Sequence, residues 1–434
     1  MNGSECLVGM MPGRSGVMRL DLHEFREGWK VVVACFIGMA LSLMALAGTY
    51  SVGVLAGPLT AEFGWSRGDV MLVPTLLYAG LIPSSFAVGW IADHYGVRKM
   101  TMFSLVALAL GFVALGTLSQ GSLTAFLTIY LLIGIFGEAA GPISYTRSIV
   151  GWFKRNRGLA LGLIMSGTGL SAILIPAYTG WFVEKHGWRE AYLALAVLPV
   201  CITLPAVWFL LKEVPGVAAR ESGGAIQDLH GLSFREAIRG YRFWVMVAVF
   251  SALTAIVISV ITNLVPMLTD AGYELSTAVL MGSAWGFATV IGRISFGFLL
   301  DRFWAPKVAV FVLLPAAAAC IMLSNPHWGM WSTILAIALV GLMNGAEFDL
   351  LIYMMTRYFG SKSYGTLFAL MYVLYNTAAA TGPAIYGYTF DAFGNYQPVL
   401  WVSAALIILS ALALLTLGKY PSHQESEVRT TGDD

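Results

Sequence analysis

The chain has 434 residues, of which only 11% are charged and 58% hydrophobic, with a mean hydropathy of +0.76, far from the roughly 25% charge of a soluble domain. That composition excludes a water-soluble globular protein and predicts an all-α polytopic membrane protein, since helices satisfy their own backbone hydrogen bonds in hydrocarbon. No nucleic-acid partner is expected.

In chain order, residues 1–26 read as a disordered cytoplasmic tail with Met18 as an alternative start. No charged n-region with a short apolar segment and cleavage site opens them, so no cleaved signal peptide is expected. An N-terminal bundle follows at 27–212, in uncharged runs such as Lys30 to Glu62, Asp69 to Asp93 and Lys99 to Glu138, each long enough for the roughly 20 residues of a spanning helix. Residues 213–241 form a linker marked as loop by Pro215, Gly216, Gly223 and Gly224. Within it Leu232, Phe234, Ala237 and Ile238 alternate with Arg235, Glu236 and Arg239, predicting a short amphipathic helix at the membrane interface. A C-terminal bundle occupies 242–418 and a short cytoplasmic tail 419–434. Counting through five interior charges, Glu138, Arg147, Arg293, Glu347 and Asp349, predicts twelve transmembrane helices.

The net charge of +1 conceals an asymmetry. With an intracellular N-terminus, only Arg67, Lys185 and Arg189 of the 25 Lys and Arg fall outside, and only Arg147 and Arg293 within helices, which obeys the positive-inside rule. Both termini are thus expected in the cytoplasm and the protein in the cell's inner membrane, as a monomer. Cys6, Cys35, Cys201 and Cys320 are scattered and His residues lie in loops, so structural thiols, no metal site and no cofactor are expected. No nucleophile with its base and no phosphate-cradling loop appears, so the chain is not expected to be an enzyme and no residue is assigned as catalytic.

A repeat recurs at an offset of about 208 residues: Gly89-Trp-Ile-Ala-Asp93-His94 returns as Gly297-Phe-Leu-Leu-Asp301-Arg302, Lys99 matches Lys307, and the uncharged runs that follow end at Glu138 and Glu347. Two homologous six-helix bundles in parallel orientation follow, an arrangement that puts a substrate site at their interface near the midplane. The loop Gly89-x-x-x-Asp93-His94-x-Gly96-x-Arg98-Lys99 resembles the signature loop of the major facilitator superfamily. That resemblance implies a conformational latch built from Gly89, Asp93, Arg98 and Lys99, with Asp301 and Arg302 in the second copy. Trp152-Phe153-Lys154-Arg155-Asn156-Arg157-Gly158-Leu159-Ala160 is similar to a monocarboxylate-porter signature, as is Glu27-Gly28-Trp29. Tyr358-Phe359-Gly360 and Gly365-Thr366-Leu367 resemble oxalate/formate antiporter-like members. Physically, Lys154, Arg155 and Arg157 suit an anionic leaflet, and Gly158, Gly162, Gly167 and Gly169 offer a small-residue packing face.

Arg293 lies eight residues before Asp301, hence roughly 12 Å inside the bilayer at the helical rise. A guanidinium there can fork onto a carboxylate, and in the resembling porters an eighth-span arginine binds the substrate carboxylate. The aspartate that precedes it by one turn in the animal porters is Thr289 here, Tyr50 stands near their first-span lysine, and no cation occupies the eleventh span, which offers Tyr372, Tyr375, Asn376 and Thr377. One carboxylate is therefore expected rather than two. Asn263, Tyr78, Tyr145 and Asn376 supply neutral groups for the ligand, and Glu347, Asp349 or Glu138 a proton carrier or charge balance. Residues two apart do not share a helix face, so at most one of Glu347 and Asp349 points into the cavity. Arg147 sits near the cytoplasmic end as a gating residue. The reading is a secondary transporter of a small organic anion, a monocarboxylate, by alternating access with proton symport. Anion exchange, efflux of a drug or metabolite, and a substrate-sensing receptor are the alternatives.

Overall fold

The computed structural model describes residues 22–118, 121–153, 156–212, 231–300, 302–325, 329–360 and 362–421. The 1–21 segment of the N-terminal tail, most of the linker, Lys154, Arg155, Asp301 and the tail beyond 421 lie outside the described residues, as do the side chains of Gly89, Asp93 and Arg157.

Among the described residues, ten helical segments are long and apolar enough to cross a bilayer: α1 (Glu24–Phe63), α3 (Val97–Thr117), α4 (Leu123–Trp152), α5 (Gly158–His186), α6 (Trp188–Leu210), α7 (Tyr241–Asp270), α8 (Leu275–Leu300), α9 (Ala305–Leu323), α10 (Met330–Phe359) and α12 (Gln397–Leu415). Two others, α2 (Leu72–Tyr95) and α11 (Tyr364–Phe393), have 24 and 30 residues, and a count of twelve adds them to the ten. The rods are not uniform. α1 carries a π-helical turn at Met44–Thr49, α4 a 3-10 turn at Glu138–Ala140 closed by Gly141 and Pro142, and α6 a π turn at Pro199–Thr203. Such irregularities are tolerated at membrane depth only inside protein, and the first two lie in α1 and α4, beside the residues discussed below.

The contacts repeat between halves: α2 packs on α4 as α8 packs on α10, and α3 on α6 as α9 on α12. The halves meet where α5 crosses α8 and where α2 crosses α11. Small residues allow these crossings. A Cβ on Gly286 of α8 would press into the Gly169 carbonyl of α5, and one on Gly345 of α10 would stand 2.8 Å from the Arg293 amide nitrogen. Of the small face expected on α5, Gly167 and Gly169 make close approaches, to α1 and α8, whereas Gly158 and Gly162 look into open space. Phe103, Leu110, Phe209, Phe311 and Leu409 project outward from α3, α6, α9 and α12, exposed as a lipid-facing surface would be, with Trp29, Trp90, Trp208, Trp331 and Trp401 near the helix ends where interfacial aromatics sit.

Between the halves, Ser233 opens the short helix Phe234–Arg239 with a capping box: its hydroxyl and backbone N–H hold the Glu236 carboxyl below its usual pKa. Leu232, Phe234 and Ile238 pack against the core of the C-terminal bundle, so the amphipathic helix docks on protein.

At the end opposite the start of α1 the halves are clasped. A one-turn helix, Arg67–Val70, offers the amides of Arg67 and Gly68 to the Asp391 carboxylate at 2.9 and 2.7 Å. The Arg67 guanidinium pairs with Asp270 at 3.0 Å, Tyr388 donates to Asp69 at 3.3 Å, and just below the clasp Thr75 donates to the Ala380 carbonyl at 2.6 Å.

Candidate substrate site

Four of the five interior charges expected from sequence, Glu138, Arg293, Glu347 and Asp349, gather near the contact between halves, and Arg147 does not join them. On α8, one turn below Thr289, Arg293 is half-buried. Its Nη1 reaches the Met165 carbonyl of α5 at 3.4 Å, and its Nε has no hydrogen-bond partner. Among the described residues it has no carboxylate within 4 Å, although Tyr50 and Asp349 lie in its electrostatic field. Thr289, where animal porters carry an acid, is neutral and bonded: it donates to the Trp285 carbonyl and accepts from Asn344 Nδ2 at 3.1 Å.

Glu347 and Asp349 diverge as their spacing requires. Glu347, 3% exposed, lies beside Tyr375 of α11 and leaves its Oε1 unpaired, whereas Asp349 is half-buried toward Arg293. Glu138, also 3% exposed, accepts from Ser85 Oγ of α2 at 3.2 Å and leaves Oε2 unpaired. Tyr78 stands between the acids, within electrostatic reach of Glu138, Glu347, Tyr50 and Tyr372. Tyr50 reaches the Thr168 carbonyl at 3.4 Å. The cluster is therefore a cation, three acids and a set of phenols drawn from α1, α2, α4, α8, α10 and α11. Ser85, Tyr50, Tyr372 and Tyr375 complete it. Tyr372 and Tyr375 are legible as the polar content of a span without cations, while Ser85 carries only one signal, its place one repeat before Arg293.

Other expected ligand groups make local contacts. The Asn263 amide donates to Ser259 and Pro383 carbonyls at 3.0 and 3.4 Å, joining α7 to α11. Asn376 donates to the Tyr372 carbonyl on its own helix at 2.8 Å. The buried Tyr145 ring fits against Gly38 of α1. Arg147 is half-buried in the second half of α4, toward its Trp152 end. In the signature loop, Gly96 takes a left-handed φ of 89°, Arg98 donates to the Trp208 carbonyl of α6 and lies over its ring, and Lys99 is exposed. Arg302, in the second copy, lies 4.8 Å over the Phe298 ring.

Paired helical bundles meeting on a polar cluster are the architecture of a membrane transporter. The chain belongs to the Major Facilitator Superfamily, whose family model matches residues 35–376. It is 23% identical to monocarboxylate transporter 13 of Bos taurus over 90% of this chain and 89% of that one. It is 26% identical to the probable sulfoacetate transporter SauU of Cupriavidus necator, over 87% of this chain and 93% of the relative. Among solved structures, a D-xylose-proton symporter has the same fold with a TM-score of 0.69 at 14% identity, covering 91% of this chain and 98% of that one. The chain is a multi-pass membrane transporter and not an enzyme.

Proposed function

We infer that the protein moves a small organic anion, a monocarboxylate, by alternating access, with Arg293 as the carboxylate-binding group. The observation that carries this reading is the Arg293 guanidinium itself. It is half-buried between the halves, its Nε is unpartnered, and no carboxylate lies within 4 Å among the described residues. A cation in hydrocarbon with no acid on it is costly unless a ligand completes it, and a carboxylate can take both arms of the fork. The relatives, a monocarboxylate transporter and a probable sulfoacetate transporter, support an anionic substrate.

Proton symport fits three interior acids against one cation at the cluster, because a protonated acid lets the anion enter without added net buried charge. Glu347 is the coupling acid: it turns away from Arg293 toward the tyrosines, while Asp349 balances the guanidinium. Tyr78 lines the path, and Glu138 relays protons. The loop Gly89 to Lys99 with Asp301 and Arg302, helped by Arg147, latches the face that carries the termini, and the Asp391 clasp closes the other. In this reading the termini are cytoplasmic, the protein is a monomer of the inner membrane, twelve helices cross it, and the clasped face is extracellular.

The test is uptake of labelled lactate, pyruvate, oxalate and benzoate into proteoliposomes, with and without a pH gradient, for the wild type and Arg293→Gln. Saturable uptake of at least one carboxylate that falls to background in the variant supports the assignment. Carboxylate uptake unchanged in the variant rejects it.

A further inference from the structure

The repeat relates the halves by a pseudo-twofold axis along the membrane normal, so equivalent residues stand at equal depth on opposite sides of the interface. At the offset of about 208 residues Arg293 on α8 is the mate of Ser85 on α2, and Glu347 on α10 the mate of Glu138 on α4. The two pairs are not in the same state. Ser85 closes on Glu138 at 3.2 Å, whereas Arg293 and Glu347 form no ion pair. A ligand lying across the axis therefore meets a cation at one end and a hydroxyl-carboxyl pair at the other. That second end is unfinished, because Glu138 is 97% buried and its Oε2 has no partner.

Rings flank the acids of this cluster. On α11, Tyr364, Phe368, Tyr372 and Tyr375 form a ladder with centroid separations of 5.6, 5.9 and 6.3 Å and interplanar angles of 16°, 17° and 9°. Phe348 of α10 meets it at 6.4 Å from Phe368 and 6.0 Å from Tyr375. The inner end of the ladder reaches both acids, Tyr372 lying in the field of Glu138 and Tyr375 beside Glu347. All four ladder rings are partly exposed. These spacings suit offset stacking, so a flat ligand ring can extend the series.

The geometry points to a hydroxylated aromatic monocarboxylate as the substrate: its carboxylate on Arg293, its ring against Tyr372 and Tyr375, and its distal hydroxyl donating to the free oxygen of Glu138. This rests on the transport reading above and narrows it, since a lactate-sized anion held by Arg293 leaves both the ladder and Glu138 unfilled. A buried acceptor without its donor costs free energy, so the distal hydroxyl discriminates among ligands sharing a carboxylate.

The experiment is equilibrium binding of radiolabelled 4-hydroxybenzoate and benzoate to the purified full-length protein in nanodiscs, with 4-methoxybenzoate and lactate as competitors. Expected is 4-hydroxybenzoate binding about tenfold tighter than benzoate or its methoxy analogue, which lacks the donor, as one buried hydrogen bond predicts, with lactate weaker than all three. Glu138→Ala, which removes both acceptor oxygens, is expected to shrink the 4-hydroxybenzoate advantage to under threefold. The ligand series tests the same point should the variant fail to fold. Lactate competing as well as benzoate, equal affinities for the hydroxy and methoxy acids, or no binding of either aromatic acid overturns the inference. If lactate binds as well as benzoate and Arg293→Gln abolishes both, the aromatic assignment fails while the carboxylate site stands. Carboxylate binding that survives Arg293→Gln removes the site itself.

Discussion

Position 293 asks for a fork rather than a point charge. Arg293→Lys keeps the cation but loses one of two parallel donors. With a charge-assisted hydrogen bond contributing about 1.5–3 kcal/mol, carboxylate affinity is expected to fall by roughly ten- to a hundredfold, read as a rise in Kd with fold and melting temperature unchanged. Glu347→Gln probes a different property. The amide keeps the shape beside Tyr375 and removes the proton, so counterflow of labelled substrate continues while acceleration by an inward pH gradient is lost; Asp349→Asn keeps that acceleration. A Glu347→Gln protein that still responds to the gradient would move the coupling role elsewhere. Much of this cluster was legible in sequence, since a charge inside a long apolar run demands a partner, a wet cavity or a ligand. Ser85 was hidden because a serine in a helix is unremarkable until its repeat mate is an arginine. Asn376 shows the converse: a polar residue in a span can be answered by a backbone carbonyl, here that of Tyr372, whereas Asn263 has its amide nitrogen answered by Ser259 and Pro383 and its Oδ1 left unpaired, and no sequence pattern separates the two.

Helix α8 owes its position to glycines on its neighbours, and this gives paired predictions of opposite sign. At Gly345 a side chain would run into the Thr289 carbonyl and stand 2.8 Å from the Arg293 amide nitrogen. Both are backbone atoms that cannot yield without moving the helix. Gly345→Val is therefore expected to destabilise the protein by about 1–3 kcal/mol, the usual range for overpacking, and to weaken carboxylate binding by displacing Arg293. Gly162 on α5, also inside a helix, meets nothing within 4 Å. Gly162→Ala is expected to raise stability by about 0.5–1 kcal/mol through helix propensity. Thermal melts in detergent read both signs, and a destabilised Gly162→Ala would show that α5 uses this position in another state. Periodicity marked α5 as glycine-rich without saying which glycines touch a neighbour, because that depends on a crossing angle the chain alone does not display.

At the scale of the molecule the two-bundle plan was visible in the repeat, since duplicated loops and duplicated interior acids are properties of the chain itself. The clasp was not: Arg67, Asp270 and Asp391 stand at helix ends, where charges are ordinary, and only the fold brings them together across the halves. Alternating access requires this closure to be reversible, and its chemistry suits that. The Arg67–Asp270 pair is partly exposed and contributes about 0.2–1 kcal/mol, while the two amide bonds to Asp391 together add about 1.5 kcal/mol. Asp391→Ala removes the larger share and should populate the state open on the clasped face about tenfold more. Ile261, buried in a narrow cleft with Tyr50, Leu264 and Val279, reports it. As a cysteine in a background lacking the four native ones, it should react with a membrane-impermeant maleimide about tenfold faster in whole cells when Asp391 is alanine, and Arg67→Ala should act in the same direction. An unchanged labelling rate in both variants would mean the clasp merely decorates a face held shut by the packing of Gly53 on Thr262 and Gly387 on Gly68. In that case the population balance would have to be set on the face opposite the clasp.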